Sequence, residues 1–383
     1  MDGAVQRAPA LAALSASVES AAAAVRGSGR LPEPRLAVGI QNLPVSGPDS
    51  WNVSSDMMTM RAVGLMQEVP NRAKRKADSA LAQATSGRAQ AELRLRTLQV
   101  RQAAAAAWLE RFYIERRLTL LDDLTRENEL LTQSARAQLA NGQGSTADAL
   151  APQQARADLE DRRDEIASEL SKAKAQLRRW VGGAADEELA TQMPSLIIDS
   201  RHLREHVHEH PEVALFEPQA AVATAAVDQA RAAGRTDWGV SVMYGRRAPQ
   251  FGDMVSVQVT VGLPFLASGR VDADLESRLH ARRQVGAERE AMLQEHVADL
   301  EGDLADYEAA SRQLERMRDV HLPLAEQRAE LQLVRYRAAT GSLAEVLSSR
   351  RELIELSLKQ LEIEAKRAGA AAKLLFIYSG DVS

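Results

Sequence analysis

In Met254-Val-Ser-Val-Gln-Val-Thr-Val-Gly-Leu263 every second residue is apolar: Val255, Val257, Val259, Val261 and Leu263 alternate with Ser256, Gln258, Thr260 and Gly262. Successive side chains of a strand point to opposite faces, so this segment carries one apolar and one polar face. A run of about ten such residues has the pattern of a membrane β-barrel strand, apolar outward and polar inward. Just upstream, Trp238, Val240, Val242 and Tyr244 form a second face of this kind, and Leu36, Val38 and Ile40 a third. Pattern alone also suits a pair of hairpins in a soluble sheet. What flanks the strands separates the two readings.

The flanks are long and helical. From Asn71 to Asn141 there is no proline, and Gly87 is the only glycine. At 1.5 Å per residue this stretch spans on the order of 100 Å, whereas helices of compact domains run to roughly 10–14 residues. Its apolar stripe is thin (Leu81, Ala84, Ala91, Ala104, Trp108, Phe112, Leu121, Leu124 and Leu131) and is bordered by Arg, Glu and Gln. A narrow seam with polar flanks suits a coiled coil or a helical barrel around a wet lumen. A second such stretch runs from Val271 to Ala339 and is interrupted at Pro323, where a helix loses a hydrogen bond and kinks.

The chain is also written twice. Pro9-Ala-Leu-Ala-Ala-Leu14 opens one copy and Pro211-Glu-Val-Ala-Leu-Phe216 the other. Each passes through an Ala-rich helix into two extended segments, the second ending in Val63-Gly-Leu65 or Val261-Gly-Leu263. A long helix follows and closes on Gly144-Ser-Thr-Ala-Asp-Ala-Leu150 or Gly341-Ser-Leu-Ala-Glu-Val-Leu347; a last helix ends each copy. The expected repeats are 9–200, with strands about 35–43 and 59–68 and a helical hairpin about 71–181, and 201–383, with strands about 237–245 and 254–263 and a hairpin about 270–379. The segment Thr59–Glu68 alternates poorly and takes its assignment from its place in the repeat. Strands that cross a bilayer must close into a barrel. Four cannot close, so several chains must contribute; three would give roughly 12 strands and a conducting pore.

Composition agrees with long helices. Of 383 residues only 4% are aromatic while 26% are charged. A formal net charge of -5 gives no sign of nucleic-acid binding, and the absence of cysteine rules out disulfides and thiolate chemistry. No window holds the roughly 20 consecutive apolar residues of a membrane-spanning helix. Met1–Ala8 has no apolar signal-peptide core; since an outer-membrane protein needs an export signal, either the start lies too far downstream or a leader has been removed. No Ser/His/Asp grouping, phosphate loop or dinucleotide fingerprint is present, so no enzyme and no cofactor is expected.

With this layout the chain resembles the TolC-like outer-membrane efflux channel family, from Pro9 to Gly380. Within that family it is most similar to the heavy-metal branch of CusC- and CzcC-like channels. The residues that carry the resemblance are Pro34-Arg-Leu-Ala-Val-Gly-Ile-Gln-Asn-Leu-Pro-Val45, Met58-Thr-Met-Arg-Ala-Val-Gly-Leu-Met-Gln-Glu68, Asp253-Met-Val-Ser-Val-Gln-Val-Thr-Val-Gly-Leu-Pro264 and the tip run Arg335–Leu347. The resemblance implies a mainly helical homotrimer with a 12-stranded β-barrel in the outer membrane and a 12-helix α-barrel in the periplasm. It implies no catalytic activity. It also implies an exit duct for heavy-metal cations or small toxic compounds, joined through a periplasmic adaptor to an inner-membrane transporter of the proton-driven RND type. The alternative is a periplasmic coiled-coil or adaptor protein that forms no channel.

Candidate residues follow from both sources. Gly142, Gly144 and Gly341 sit where long helices reverse, which is an ordinary use of glycine. The resemblance adds adaptor docking around Gly144, Ser145, Thr146, Gly341, Ser342 and Leu343. Asp148 and Glu345 are equivalent across the repeat, and in a trimer they would form two carboxylate rings, of the kind that selects cations. Asp148 also suits a helix N-cap or first turn. By resemblance, carboxylates here line a constriction, and Asp148 and Tyr336 match a hydrogen-bonded pair that holds it shut. Pro152 departs from the family pattern. His202, His206, His208 and His210 fall within nine residues, and His202 and His206 stand at i, i+4, a spacing that holds Zn²⁺ or Cu²⁺. A solvated linker is the plainer reading. Met57, Met58, Met60 and Met66 are thioethers of the Cu(I) type but equally strand and loop packing; Arg72, Lys74, Arg75 and Lys76 suit the periplasmic exit of a barrel.

Overall fold

The computed structural model describes residues 2–140, 146–189, 193, 196–264, 268–338 and 340–378. Two compact units are formed. The first comprises Ala13–Leu93 and Ala214–Ala291, the second Met1–Ala12, Arg94–Val213 and Met292–Ser383. Each unit therefore takes segments from both halves of the sequence.

The first unit holds a four-stranded antiparallel sheet, β1 (Arg35–Gln41), β2 (Met60–Val69), β3 (Trp238–Arg246) and β4 (Met254–Val261), in the order β1-β2-β3-β4. Pairing of β2 with β3 joins the two hairpins into one sheet. Its register aligns the apolar residues: Leu36 pairs with Leu65, Leu65 with Val242 and Val242 with Val257. A second row runs Val38, Val63, Tyr244, Val255. None of these is covered. Val38 is 73% exposed and Val257 66%, and every residue of β1 and β4 is exposed. A soluble sheet buries its apolar face; this one leaves it bare.

β1 stops at Gln41 because Asn42 takes a left-handed conformation (φ 55°), and the Thr59 hydroxyl donates to its carbonyl at 2.9 Å. β4 ends at Val261, where the Gly262 N–H donates to Asp237 O at 2.8 Å. Helices α2 (Pro9–Gly27) and α7 (Phe216–Ala233) precede the hairpins, and α3 (Arg72–Ala140) and α8 (Ser268–Arg316) follow them. Where α2 gives way to β1, Gly29 has φ +70°, and a Cβ there would stand 3.0 Å from Arg75 O, so only glycine fits between that turn and α3.

A polar clip holds the start of α3 against the strand it neighbours. Asn71 donates to Asp237 Oδ1 from its backbone (2.7 Å) and its side chain (2.8 Å), and Lys74 Nζ lies 3.1 Å from Asp237 Oδ2. Partial burial of Asp237 opposes its ionisation, but the bonds from Asn71 and Lys74 outweigh it and hold the carboxyl below its usual range. Stabilisation from this carboxylate is therefore full above its unfolded value, about pH 4, and is lost as pH falls through the lower folded value. Asp237→Asn should lower the melting temperature at neutral pH, and the gap to the native chain should close on acidification below about pH 4. Melting curves across that range check it; a gap independent of pH would remove the carboxylate from the account.

The second unit is helical: the rest of α3, α4 (Thr146–Val181), α5 (Ser200–Glu205), α6 (Pro211–Ala214), the rest of α8, α9 (Leu322–Arg337) and α10 (Leu343–Tyr378). Its core is a thin seam. Ile114 and Leu121 meet Leu159, Ile166 and Leu358; Leu109, Phe112 and Tyr113 meet Ala368 and Ala372; Leu203 meets Leu300, Leu304 and Leu374. Ion pairs flank it, among them Arg117–Glu169 at 2.8 Å, Arg328–Glu352 at 2.7 Å and Lys373–Asp303 at 2.7 Å. Exposed pairs of this kind contribute about 0–1 kcal/mol each. Among the described residues, no helix is long and apolar enough to cross a membrane.

Buried Arg111 is a different case. It reaches Ala185 O at 2.5 Å and Glu187 O at 2.8 Å and pairs with Glu115 at 2.8 Å, fixing the 182–187 turn on α3.

The interruption expected at Pro323 is a single π turn, Met317–His321, between α8 and α9. The Leu322 N–H donates to Met317 O, five residues back. Proline deprives the turn before it of a donor, and widening that turn accommodates the loss. The turn adds one residue, and the seam changes phase. Ahead of it Leu300, Tyr307 and Leu314, with Ala310 and Met317, follow a seven-residue spacing; beyond it the inward positions are Leu322, Ala325 and Ala329. The unshifted pattern would have turned Leu324 and Leu331 inward, but these are 60% and 64% exposed.

Candidate functional site

Three places bear on function: the sheet face, the helical tip before α10, and the histidines.

At the tip, α9 ends on a reversal in which the Thr340 N–H and hydroxyl both donate to Arg335 O. Ser342 then caps α10. Its hydroxyl accepts the Glu345 N–H at 3.2 Å, and Glu345 Oε2 accepts the Ser342 N–H at 3.1 Å. This reciprocal Ser-x-x-Glu box satisfies two N-terminal donors, so the Glu345 carboxylate is committed to the helix end while its side chain remains exposed. Leu343 is 1% exposed and packs with Val346, Leu333, Tyr336 and Leu347, so it fills the tip from within. Gly341 is tight: a Cβ would lie 3.1 Å from Arg335 Cβ and 3.3 Å from Glu345 Oε2.

Gly142, Gly144 and Ser145 lie outside the described residues. Thr146 and Asp148 belong to the first turns of α4, and their side chains also lie outside the description. Pro152 sits in α4, and its carbonyl accepts from buried Asn128 at 3.0 Å.

The four clustered histidines separate. The His202 and His206 rings lie 4.1 Å apart, tilted by 35°, with His206 Nδ1 2.9 Å from His202 O. His208 is exposed beside Glu209. Only His210 turns inward. It is 3% exposed and stacks on His296 of α8 with ring centroids 3.6 Å apart. The Glu212 N–H donates to its Nδ1 at 3.1 Å, and its Nε2 is buried without a hydrogen-bond partner. Burial, with His296 adding to it, pushes the His210 imidazole down to about 3, so the ring is neutral. His296 Nε2 lies 3.1 Å from Glu212 Oε2, and Gln99 Nε2 donates to the other carboxylate oxygen at 3.2 Å. Burial, with Asp303, Asp299 and Glu212 nearby, raises the Tyr378 hydroxyl well above its usual range. Sequence reading missed His296, which lies in a polar stretch of helix 86 residues from His210. No spacing rule joins two such positions.

On the sheet, Met60 and Met66 lie on the face opposite Val63 and Leu65, while Met57 and Met58 are exposed in the loop before β2. Lys74, from the basic cluster, is the cation that meets Asp237.

The fold is that of known outer-membrane channels. A membrane protein from Pseudomonas aeruginosa superposes with a TM-score of 0.82 at 17% identity, over 98% of this chain and 88% of that one. The outer-membrane channel OprN gives 0.80 at 16% identity, over 99% and 89%. CusC, whose structures concern folding and transmembrane channel formation, gives 0.78 at 16%, over 98% and 90%. No protein-family model and no curated protein matches the chain.

Proposed function

We propose that the chain is one subunit of the outer-membrane exit duct of a tripartite efflux pump. One observation carries this reading. The sheet presents rows of apolar side chains aligned across all four strands and uncovered, and its outer strands β1 and β4 have no further strand partner among the described residues. A bare apolar face of this extent marks a membrane or an interaction surface, and free strand edges are incompatible with lipid unless they pair. Pairing β1 of one copy with β4 of the next satisfies both demands, and three copies give a barrel of roughly 12 strands. The two halves, 9–200 and 201–383, act in this reading as duplicated structural repeats whose long hairpins extend into the periplasm. An adaptor protein and an inner-membrane, proton-driven RND transporter complete the pump, and the cargo is a heavy-metal cation or a small toxic compound. The tips around Gly144, Ser145, Thr146, Gly341 and Ser342, the last two supported from within by buried Leu343, are the adaptor-facing ends, and Asp148, Tyr336 and Glu345 the constriction. No catalytic step and no cofactor is involved.

The absence of cysteine makes a clean test. Single cysteines are placed in pairs along β1 and β4, such as Val38→Cys with Val257→Cys, and oxidised in outer membranes. The expected result is a ladder of disulfide-linked species ending at three chains, from a protein that needs detergent for extraction. A monomer that extracts without detergent and forms no links for any pair would favour the periplasmic coiled-coil alternative.

A further inference from the structure

We propose that His210, Glu212 and His296 form a binding site for a divalent first-row cation, Zn²⁺ foremost, that ties the 207–214 connector to α8. The reading stands apart from the export function and concerns a resident ion.

The donors are already gathered. One ring nitrogen from each histidine and one carboxylate oxygen of Glu212 lie within 4.8 Å of one another. Around an ion with bonds of about 2.1 Å, donors stand roughly 3–4 Å apart, so small side-chain rotations close the set. Two imidazoles and one carboxylate suit Zn²⁺, with Cu²⁺ and Ni²⁺ as competitors, and leave a position for water. The site opens on a cavity of about 160 Å³ lined also by Asp299, Lys373 and Tyr378, so an ion finds room.

The hydrogen bonds mark what a cation would exchange. The buried nitrogen of His210 without a partner is a polar atom that a folded protein rarely leaves unsatisfied. Because the Glu212 amide donates to Nδ1, the neutral ring carries its proton on Nε2; coordination through Nδ1 replaces that amide contact directly, and coordination through Nε2 moves the ring proton to Nδ1 and gives up the same contact. A cation between His296 Nε2 and Glu212 Oε2 replaces the 3.1 Å contact now joining them, and His296 then holds its proton on Nδ1. Gln99, bonded to the second oxygen of Glu212, orients the carboxylate as outer partners of metal ligands do. The pair His202 and His206 has no such arrangement: His206 Nδ1 is engaged by the His202 carbonyl, and no carboxylate joins the pair in a three-donor group among the described residues.

The experiment is calorimetric titration of ZnCl₂ into the whole chain, purified and stripped with chelator. Native protein should bind one Zn²⁺ per chain at micromolar concentration. His296→Gln should weaken that binding about tenfold or more, and the double variant His202→Gln/His206→Gln should leave it unchanged. Glu212→Gln serves as a second ligand variant should His296→Gln lose its native circular dichroism. The proposal is overturned if native protein binds no Zn²⁺, if folded His296→Gln or Glu212→Gln binds as tightly as native, or if the double variant abolishes binding.

Discussion

Val257→Arg should abolish assembly of membrane-inserted oligomers, whereas Gln258→Arg, one residue further on, should permit it. Val257 lies in mid-β4 and continues the row Leu36, Leu65, Val242 across the sheet. Gln258 shares the opposite face with Ser241. On the lipid side of a barrel an arginine at the bilayer midplane costs about 2–4 kcal/mol; in an assembly of three copies the cost is roughly 6–12 kcal/mol, comparable with the whole stability of many folded proteins. On the lumen side the same charge meets water. Outer-membrane fractionation with unheated gel electrophoresis reads the result as presence or absence of the oligomer band. Should Gln258→Arg fail while Val257→Arg assembles, the faces are assigned the wrong way round and the duct reading loses its basis.

Arg111→Ala should lower the stability of the helical unit clearly and loosen the 182–187 turn. Arg111 is 2% exposed, and its two terminal nitrogens donate separately to the carbonyls of Ala185 and Glu187. The buried Ala185 carbonyl left without a donor costs about 1–3 kcal/mol, whereas Glu187 is exposed and its carbonyl can turn to water. Arg111→Lys keeps the charge but cannot span both carbonyls, and should recover only part of the loss. Thermal melting, with limited proteolysis of the 182–187 turn, measures both effects. A melting temperature unchanged in Arg111→Ala would show that the turn is held by other contacts, such as Ala185 packed against Ala107 and Leu177.

What could be read from the sequence was whatever repeats over short distances. β4 was plain because valine alternates there with Ser, Gln and Thr. β2 was obscure for a physical reason: its second face is Met60, Ala62, Gly64 and Met66, small or sulfur-bearing rather than polar, so the contrast between faces vanishes. Only its place in the duplicated order located it. The long helices were evident from their lack of Pro and Gly. Pro323 marked the right locality, although local sequence does not distinguish a kink from a widened turn. The box of Ser342 and Glu345 was legible in principle, since Ser-x-x-Glu before an apolar run is a helix-start signature. The remaining features join distant positions: Arg111 with two carbonyls some 75 residues away, with |i−j| of 74 and 76, and His210 with His296. Such contacts depend on how helices are stacked, and no periodicity encodes them.

The surplus residue at 317–321 has a consequence for how closely the last helices approach. By rotating α9 it brings Ala325 and Ala329 against the interior and sends Leu324 and Leu331 outward. Alanines permit a short distance between neighbouring rods, which leucines in the same places would hold apart. Excising one residue there would restore regular pitch, wedge bulky side chains between α9 and α10, and strip the outer surface of its apolar ridge. The widened turn thus sets both how closely α9 packs in the helical unit and which apolar side chains it leaves on the outside.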